Sequence, residues 1–343
     1  MEIEEGKAAA DKQAGSSDIA ERIVTLSPER LRLLAREVKK KKGGFVVPRN
    51  SMGVDACLVP IRKQGPRPPL FLVHPVGGGI VAYHDLSQYL SPQQPVYALQ
   101  NHTVQSGEDQ EEEMLNVQQM ASRYVAVVQS VWPQGPYMLG GASMGGAVAF
   151  EMAVQLEAHG REVPLVAMLD TPARVIPHMH GYESHSPLAV ELTLLAGIIA
   201  SGQARDFGMP VAELDAMSPE EQVHHVFSQL QEQKLISASL DISAFQAALL
   251  TFKKNLNALE AYVPGMFGGR IVNLRATEVS AYMREKAAEL CDDPTFGWQS
   301  HCRQPVSVCF VPGDHVRMNL EPHVQTVGAE LQRYLNEVCG GRV

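Results

Sequence analysis

No uninterrupted apolar stretch of this 343-residue sequence approaches the roughly 20 residues that a helix needs to cross a bilayer. The first residues, Met1-Glu2-Ile3-Glu4-Glu5, are acidic and lack an apolar core, so no secretory signal is visible. Cysteine is scarce. Five residues, an odd number, stand at 57, 291, 302, 309 and 339 with neither metal-ligand spacing nor a disulfide framework. Basic charge is short as well: 29 Lys and Arg against 38 Asp and Glu leave a net charge of −9, which argues against general nucleic-acid binding. The expected setting is the cytoplasm, with no membrane and no nucleic-acid partner. What is present is ordinary for a globular chain, 45% hydrophobic and 20% charged, with ample material for one large domain or two small ones.

The stretch Met138-Leu139-Gly140-Gly141-Ala142-Ser143-Met144-Gly145-Gly146 stands out. Gly141-x-Ser143-x-Gly145 has the form of a nucleophile elbow, a sharp strand-to-helix turn that lifts a serine hydroxyl out of a sheet. Side chains two residues before or after the serine would collide with the adjoining strand and helix, which explains the glycines. The flanks suit this reading. Tyr137-Met138-Leu139 reads as a short buried strand and Ala147 to Ala153 as a closely packed helix. A plain Gly-rich turn is the alternative.

Residues 1–17 are polar and expected to be disordered. A short helix then has Ser27 as N-cap, Pro28 at its first position and Leu31, Leu34 and Val38 on one face, ending in Lys39 to Lys42 and Gly43-Gly44. The lysine run suits either a solvated helix end or a docking or linker helix. Gly43 to Pro69, rich in proline, reads as a connector. The division expected is therefore a flexible segment over 1–60 and one domain over 61–343.

Within that domain, strands at 70–74, 95–99, 137–139 and 163–169 alternate with helices near Val81 to Leu90, Glu111 to Val131 and beyond Ser143. This rhythm implies a mostly parallel α/β sheet with helices on both faces. The alternation then stops for a helical insertion over about 176–265, with helices at 187–202, 219–234 behind a Ser218-x-x-Glu221 capping box, and 242–262. Strands resume at 269–275 and 306–311, and a helix from about Glu321 to Val338 closes the chain. An insertion at this point, counted between the sixth and seventh strands of such a sheet, commonly serves as a lid; an extra packing layer is the alternative.

A serine hydroxyl is a poor nucleophile until an imidazole takes its proton, and the imidazole needs an anion to fix its tautomer. For this fold the chain order is Ser, acid, His, each at the carboxyl edge of a strand. His315 follows the strand at 306–311 through Pro312-Gly313-Asp314 and is the candidate base. Asp170 ends the buried run Val166-Ala167-Met168-Leu169 and is the preferred acid, with Glu278 and Asp314 as alternatives. Two backbone donors are needed for the tetrahedral oxygen. Met144, at the start of the elbow helix, is one. Val76, in His74-Pro75-Val76-Gly77-Gly78-Gly79, is the other, because Pro75 has no N–H. A phosphate-binding loop is disfavoured there, since neither the Lys-Ser/Thr ending nor G-x-G-x-x-G spacing is present. The pairs His178/His180 and His224/His225 hint at metal, but no carboxylate or cysteine pattern completes either.

The ordered set of segments resembles a known family, the chain-terminating (type I) thioesterase domains of polyketide and nonribosomal peptide synthetases. The segments are Pro69 to Gly78 with Tyr83 and Leu86, Gly135 to Gly146, Leu169-Asp170-Thr171, Gly297-Trp298 and Gly313-Asp314-His315, spanning about residues 60 to 338. The resemblance implies an α/β-hydrolase fold, a helical lid and a Ser143-Asp170-His315 triad. It also implies an acyl chain delivered as a phosphopantetheine thioester on an acyl or peptidyl carrier partner, with no cofactor of the enzyme's own. An acid at Asp170 is similar to the chain-terminating type; separate editing (type II) thioesterases usually carry it after the next strand, where this chain offers Glu278. Ala142 replaces an aromatic often found before the nucleophile. No Asp-Ser-Leu carrier site is present. A carboxylesterase or lipase on the same fold, and a non-catalytic carrier-binding protein, are the rival expectations.

Overall fold

The computed structural model describes residues 57–101, 115–175 and 177–340. Seven strands form one sheet: β1 (Leu58–Arg62), β2 (Leu70–Val73), β3 (Val96–Leu99), β4 (Met138–Ala142), β5 (Leu165–Leu169), β6 (Ile271–Ala276) and β7 (Ser307–Val311). Their order is β1-β3-β2-β4-β5-β6-β7, with β1 antiparallel to β3 and every other pair parallel. Strands β2, β4 and β5 carry no polar side chain because both faces are covered. Within β2, Phe71 and Val73 join one core and Leu70 and Leu72 the other, as the two-residue period of a strand requires.

Helices α2 (Val117–Val131) and α3 (Met144–Ala158) cover the first face, and α1 (Ala82–Gln88) and α10 (Val324–Gly340) the second. A reciprocal Asn116–Gln119 capping box starts α2. Between β5 and β6 lie α4 (Pro187–Ser201), α5 (Val211–Asp215), α6 (Pro219–Glu232) and α7 (Ile242–Glu260). These four share a separate apolar core that includes Leu192, Leu195, Val226, Leu230, Phe245 and Phe252. The capping box read from the sequence is formed: Glu221 N–H donates to Ser218 Oγ at 3.4 Å, and Ser218 N–H to Glu221 Oε2 at 2.8 Å. Two short helices, α8 (Ala281–Lys286) and α9 (Ala288–Asp292), sit between β6 and β7.

The structure departs from the sequence expectation at the domain's leading edge. Leu58–Arg62 is a strand rather than connector, so the sheet begins before residue 61. Pro60 hides it, because proline reads as a strand breaker, yet an edge strand tolerates a residue without an N–H. The insertion enters between the fifth and sixth strands of the seven described. The helix capped by Ser27, the Lys39–Lys42 run and the first turn of the helix expected from Glu111 lie outside the described residues.

Candidate active site

The elbow is built by steric necessity. Ser143 has φ 54° and ψ −124°, a left-handed conformation that costs an L-residue energy and needs the surrounding structure to impose it. A Cβ on Gly141 would lie 2.4 Å from the Gly145 carbonyl carbon, and one on Gly145 would lie 2.1 Å from the Val73 carbonyl oxygen. The turn therefore closes only with glycine on both sides, which lets α3 ride directly on the end of β2. The Ser143 hydroxyl has no hydrogen-bond partner among the described residues, and it opens into a cleft of about 520 Å³.

Asp170 follows β5, also at positive φ (49°), with its N–H held by Leu274 O at 2.8 Å. Its Oδ1 accepts from Ala276 N–H at 3.0 Å, and its Oδ2 lies 2.8 Å from His315 Nδ1. A carboxylate only accepts, so the neutral imidazole carries its proton on Nδ1 and leaves the Nε2 lone pair available. The His315 side chain is 48% exposed, whereas its partner Asp170 is nearly buried. Lost hydration favours the neutral ring. The hydrogen bond and charge of Asp170, with the charge of Asp314, outweigh this and raise the His315 pKa above the ordinary 6.5.

The other two acid candidates are placed differently. Asp314 Oδ1 accepts from the Val316 and Arg317 N–H groups, and Oδ2 lies 3.5 Å from Arg317 Nε, so this carboxylate holds its own loop. Glu278 lines the cleft, tied to the His315 loop only through its backbone, where its N–H donates to Gly313 O at 3.0 Å. Ser143, Asp170 and His315 thus share one cleft, walled also by Val175, Leu259, Met283, Phe296 and Val316.

Val76 lies on the loop after β2, and Met144 is the first residue of α3. Neither N–H is engaged by a hydrogen bond among the described residues. The Pro75–Val76 peptide is fixed through its carbonyl, which accepts from Gly78 N–H at 2.9 Å and from His74 Nδ1 at 2.8 Å. His74 is fully buried, and its Nε2 lies 2.8 Å from the Tyr124 hydroxyl. Because the carbonyl forces Nδ1–H, Tyr124 must donate to Nε2. Burial then pushes the His74 pKa down to about 4, so the ring stays neutral. Tyr83 braces the same edge: its hydroxyl donates to Val73 O at 2.5 Å and accepts from Ala142 N–H at 2.9 Å.

Among the supporting residues, Asn273 and Arg275 carried no sequence signal beyond being polar inside an apolar strand. Asn273, fully buried on β6, donates to Thr171 O at 2.9 Å. Thr171 Oγ1 donates to Ser143 O at 2.9 Å, joining the Asp170 loop to the elbow, and Trp298 Nε1 donates to Thr171 O at 2.8 Å. Arg275, two residues along the same face of β6, donates to Asp293 O at 2.6 Å and stacks its guanidinium 3.9 Å from the Phe296 ring centroid. It thereby sets that wall of the cleft. Of the histidine pairs, His178 Nδ1 is 2.8 Å from Glu260 Oε1, and His224 Nδ1 bonds to Glu220 O at 2.9 Å.

A protein-family model for the thioesterase domain matches residues 68–331, from β2 into α10. This chain belongs to the thioesterase domain family. A 281-residue match to the malpinin synthetase of Mortierella alpina is 30% identical and covers 82% of this thioesterase but 3% of that protein. The chondramide synthase of Chondromyces crocatus is 27% identical over 295 residues, covering 83% and 7%. The thioesterase thus spans a small part of the curated relatives it matches. Among solved structures, a four-domain nonribosomal peptide synthetase bound to AMP and glycine aligns with a TM-score of 0.71 at 26% identity, over 89% of this chain and 21% of that one. The NocB thioesterase domain, solved as a covalent complex with a fluorophosphonate nocardicin G analogue, shares the fold at TM-score 0.51 and 24% identity, covering 78% and 95%. The α/β fold and mostly parallel sheet are those of thioesterase domains, and no helix among the described residues is long and apolar enough to cross a membrane.

Proposed function

We propose that this thioesterase releases an acyl or peptidyl chain from the phosphopantetheine of a carrier protein or domain in the cytoplasm, through an ester on Ser143. The observation that carries the reading is the 2.8 Å contact between Asp170 and His315 in the cleft that Ser143 lines. His315 Nε2 takes the Ser143 proton as Oγ attacks the thioester carbonyl, and Asp170 holds the tautomer and stabilises the imidazolium. The Val76 and Met144 N–H groups receive the negative oxygen, aided at Met144 by the positive end of α3. Collapse expels the phosphopantetheine thiol, which takes the proton back from His315. Water, or a hydroxyl or amine of the bound chain, then loses its proton to His315 and attacks the ester; the acyl–Oγ bond breaks and Ser143 Oγ takes that proton from His315, leaving a free acid, a lactone or a lactam. The α4–α7 insertion acts as a lid that limits how much water reaches the ester. The phosphopantetheine belongs to the carrier partner, so no cofactor resides in this chain.

Octanoyl-N-acetylcysteamine, with its octyl oxoester as control, tests the reading. The thioester should be preferred, and intact mass should show an octanoyl adduct that Ser143→Ala loses together with turnover. A fully active Ser143→Ala protein, or a clear preference for the oxoester, would overturn it. The pH profile offers a second check. Only neutral His315 accepts a proton, and its pKa is raised from 6.5, so kcat/KM should fall on acidification through a midpoint above 6.5.

A further inference from the structure

Asn255 is 2% exposed, yet it belongs to helix α7 of the insertion rather than to the sheet. Its Nδ2 donates to Val76 O at 2.7 Å, and its Oδ1 accepts from Asn101 Nδ2 at 3.1 Å. Both directions are forced. A carbonyl can only accept, so Asn255 must turn its amino group toward Val76 and leave its oxygen for Asn101. Asn101 grips the same loop by a second route, its N–H donating to Gly78 O at 3.1 Å.

The place of Asn255 on α7 matters as much as its bonds. One turn earlier, Phe252 is in the core of the insertion; one turn later, Ala258 is in the core of the sheet. Beyond it, the Tyr262 hydroxyl donates to buried Glu151 Oε2 at 3.0 Å. Helix α7 is thus one rod, about 28 Å long, whose two ends belong to different cores, with Asn255 at the changeover. The Val76 side chain is packed against both cores. The two peptide planes that meet at Val76 are held from opposite sides: Pro75–Val76 by His74, and Val76–Gly77 by Asn255.

We infer that Asn255 is a positioning residue that aims the Val76 N–H from the lid, so that stabilisation of the developing oxyanion depends on the seating of α7. This rests on the Ser143 and Val76 reading above. Displacing a donor by a fraction of an ångström weakens the transition state far more than the bound substrate, so the effect belongs in kcat.

The test compares Asn255→Leu, which keeps the bulk and can never donate, with Asn255→Asp, which donates only when protonated. With octanoyl-N-acetylcysteamine, kcat of the Leu variant should fall about tenfold or more while KM stays within about twofold. The limiting rate of Ser143 labelling at saturating fluorophosphonate should fall in parallel, which supplies a readout independent of the acyl chain. The ratio of the Asp to the Leu rate should climb as pH is lowered from about 8 to about 5, as the carboxyl regains a proton to donate. Wild-type kcat in both variants, with Ser143→Ala inactive, overturns the inference and leaves the Ser143 reading standing. Turnover by Ser143→Ala overturns both.

Discussion

Asp170→Asn is expected to lower kcat by about 10⁴-fold, although the new side chain has the same shape. The reason lies in the two hydrogen bonds of this carboxylate. The Ala276 N–H, 3.0 Å from Oδ1, requires an oxygen there. An asparagine that keeps this bond must place its amino group where Oδ2 now lies, 2.8 Å from His315 Nδ1. Nδ1 then becomes the acceptor, the proton moves to Nε2, and the lone pair that should receive the Ser143 proton is lost. The imidazolium also loses its counter-charge, so the acid limb of the pH profile should move to lower pH. Glu278→Gln should stay close to wild type in both respects, because Glu278 reaches the His315 loop only through its backbone N–H. Steady-state kinetics from pH 5 to 9 on the two variants (an interval of about four units around the ordinary imidazole value) decide the matter. A Glu278→Gln enzyme as impaired as Asp170→Asn would move the acid to the later loop.

The second large effect is on folding. Gly145→Ala should destabilise the protein by more than about 3 kcal/mol, enough to leave little soluble product. The added methyl would lie 2.1 Å from Val73 O and 2.9 Å from His74 O, both backbone atoms that no rotamer change can withdraw. Relief requires α3 to lift away from β2, which would open the core packed around Val148, Phe150 and Met152. Gly79→Ala is the matched control, since nothing lies within 4 Å of a Cβ there. Urea unfolding of the two, or the soluble fraction where Gly145→Ala cannot be purified, measures the difference. Equal stability would mean that the elbow is looser than its contacts indicate.

These two effects mark the boundary of what was legible. Gly141, Ser143 and Gly145 announce themselves within five residues, because the clash that demands the glycines is local to the turn. His315 could be singled out by its place after the strand at 306–311. Asp170 was distinguishable from Glu278 and Asp314 as a charge ending an apolar run, and from Glu278 by the resemblance to the chain-terminating type. The bonds that separate the three carboxylates involve Ala276, Val316 and His315, and they exist only once the strands are adjacent. Strand β1 was hidden by Pro60, whose missing N–H matters in a central strand and not at an edge.

Nothing in the order of residues links Asn255 to Val76, which stand 179 positions apart, or Asn273 to Thr171, 102 apart. A buried amide needs partners, but the sequence does not say which, because any backbone carbonyl brought near enough will satisfy it. Local chemistry, the glycine spacing of the elbow and the apolar strands that bury both faces, determined the fold and the turn that presents Ser143. The tertiary structure alone decided which carboxylate meets the imidazole and how the insertion grips the loop at Val76, since those contacts are made by the packing of distant segments.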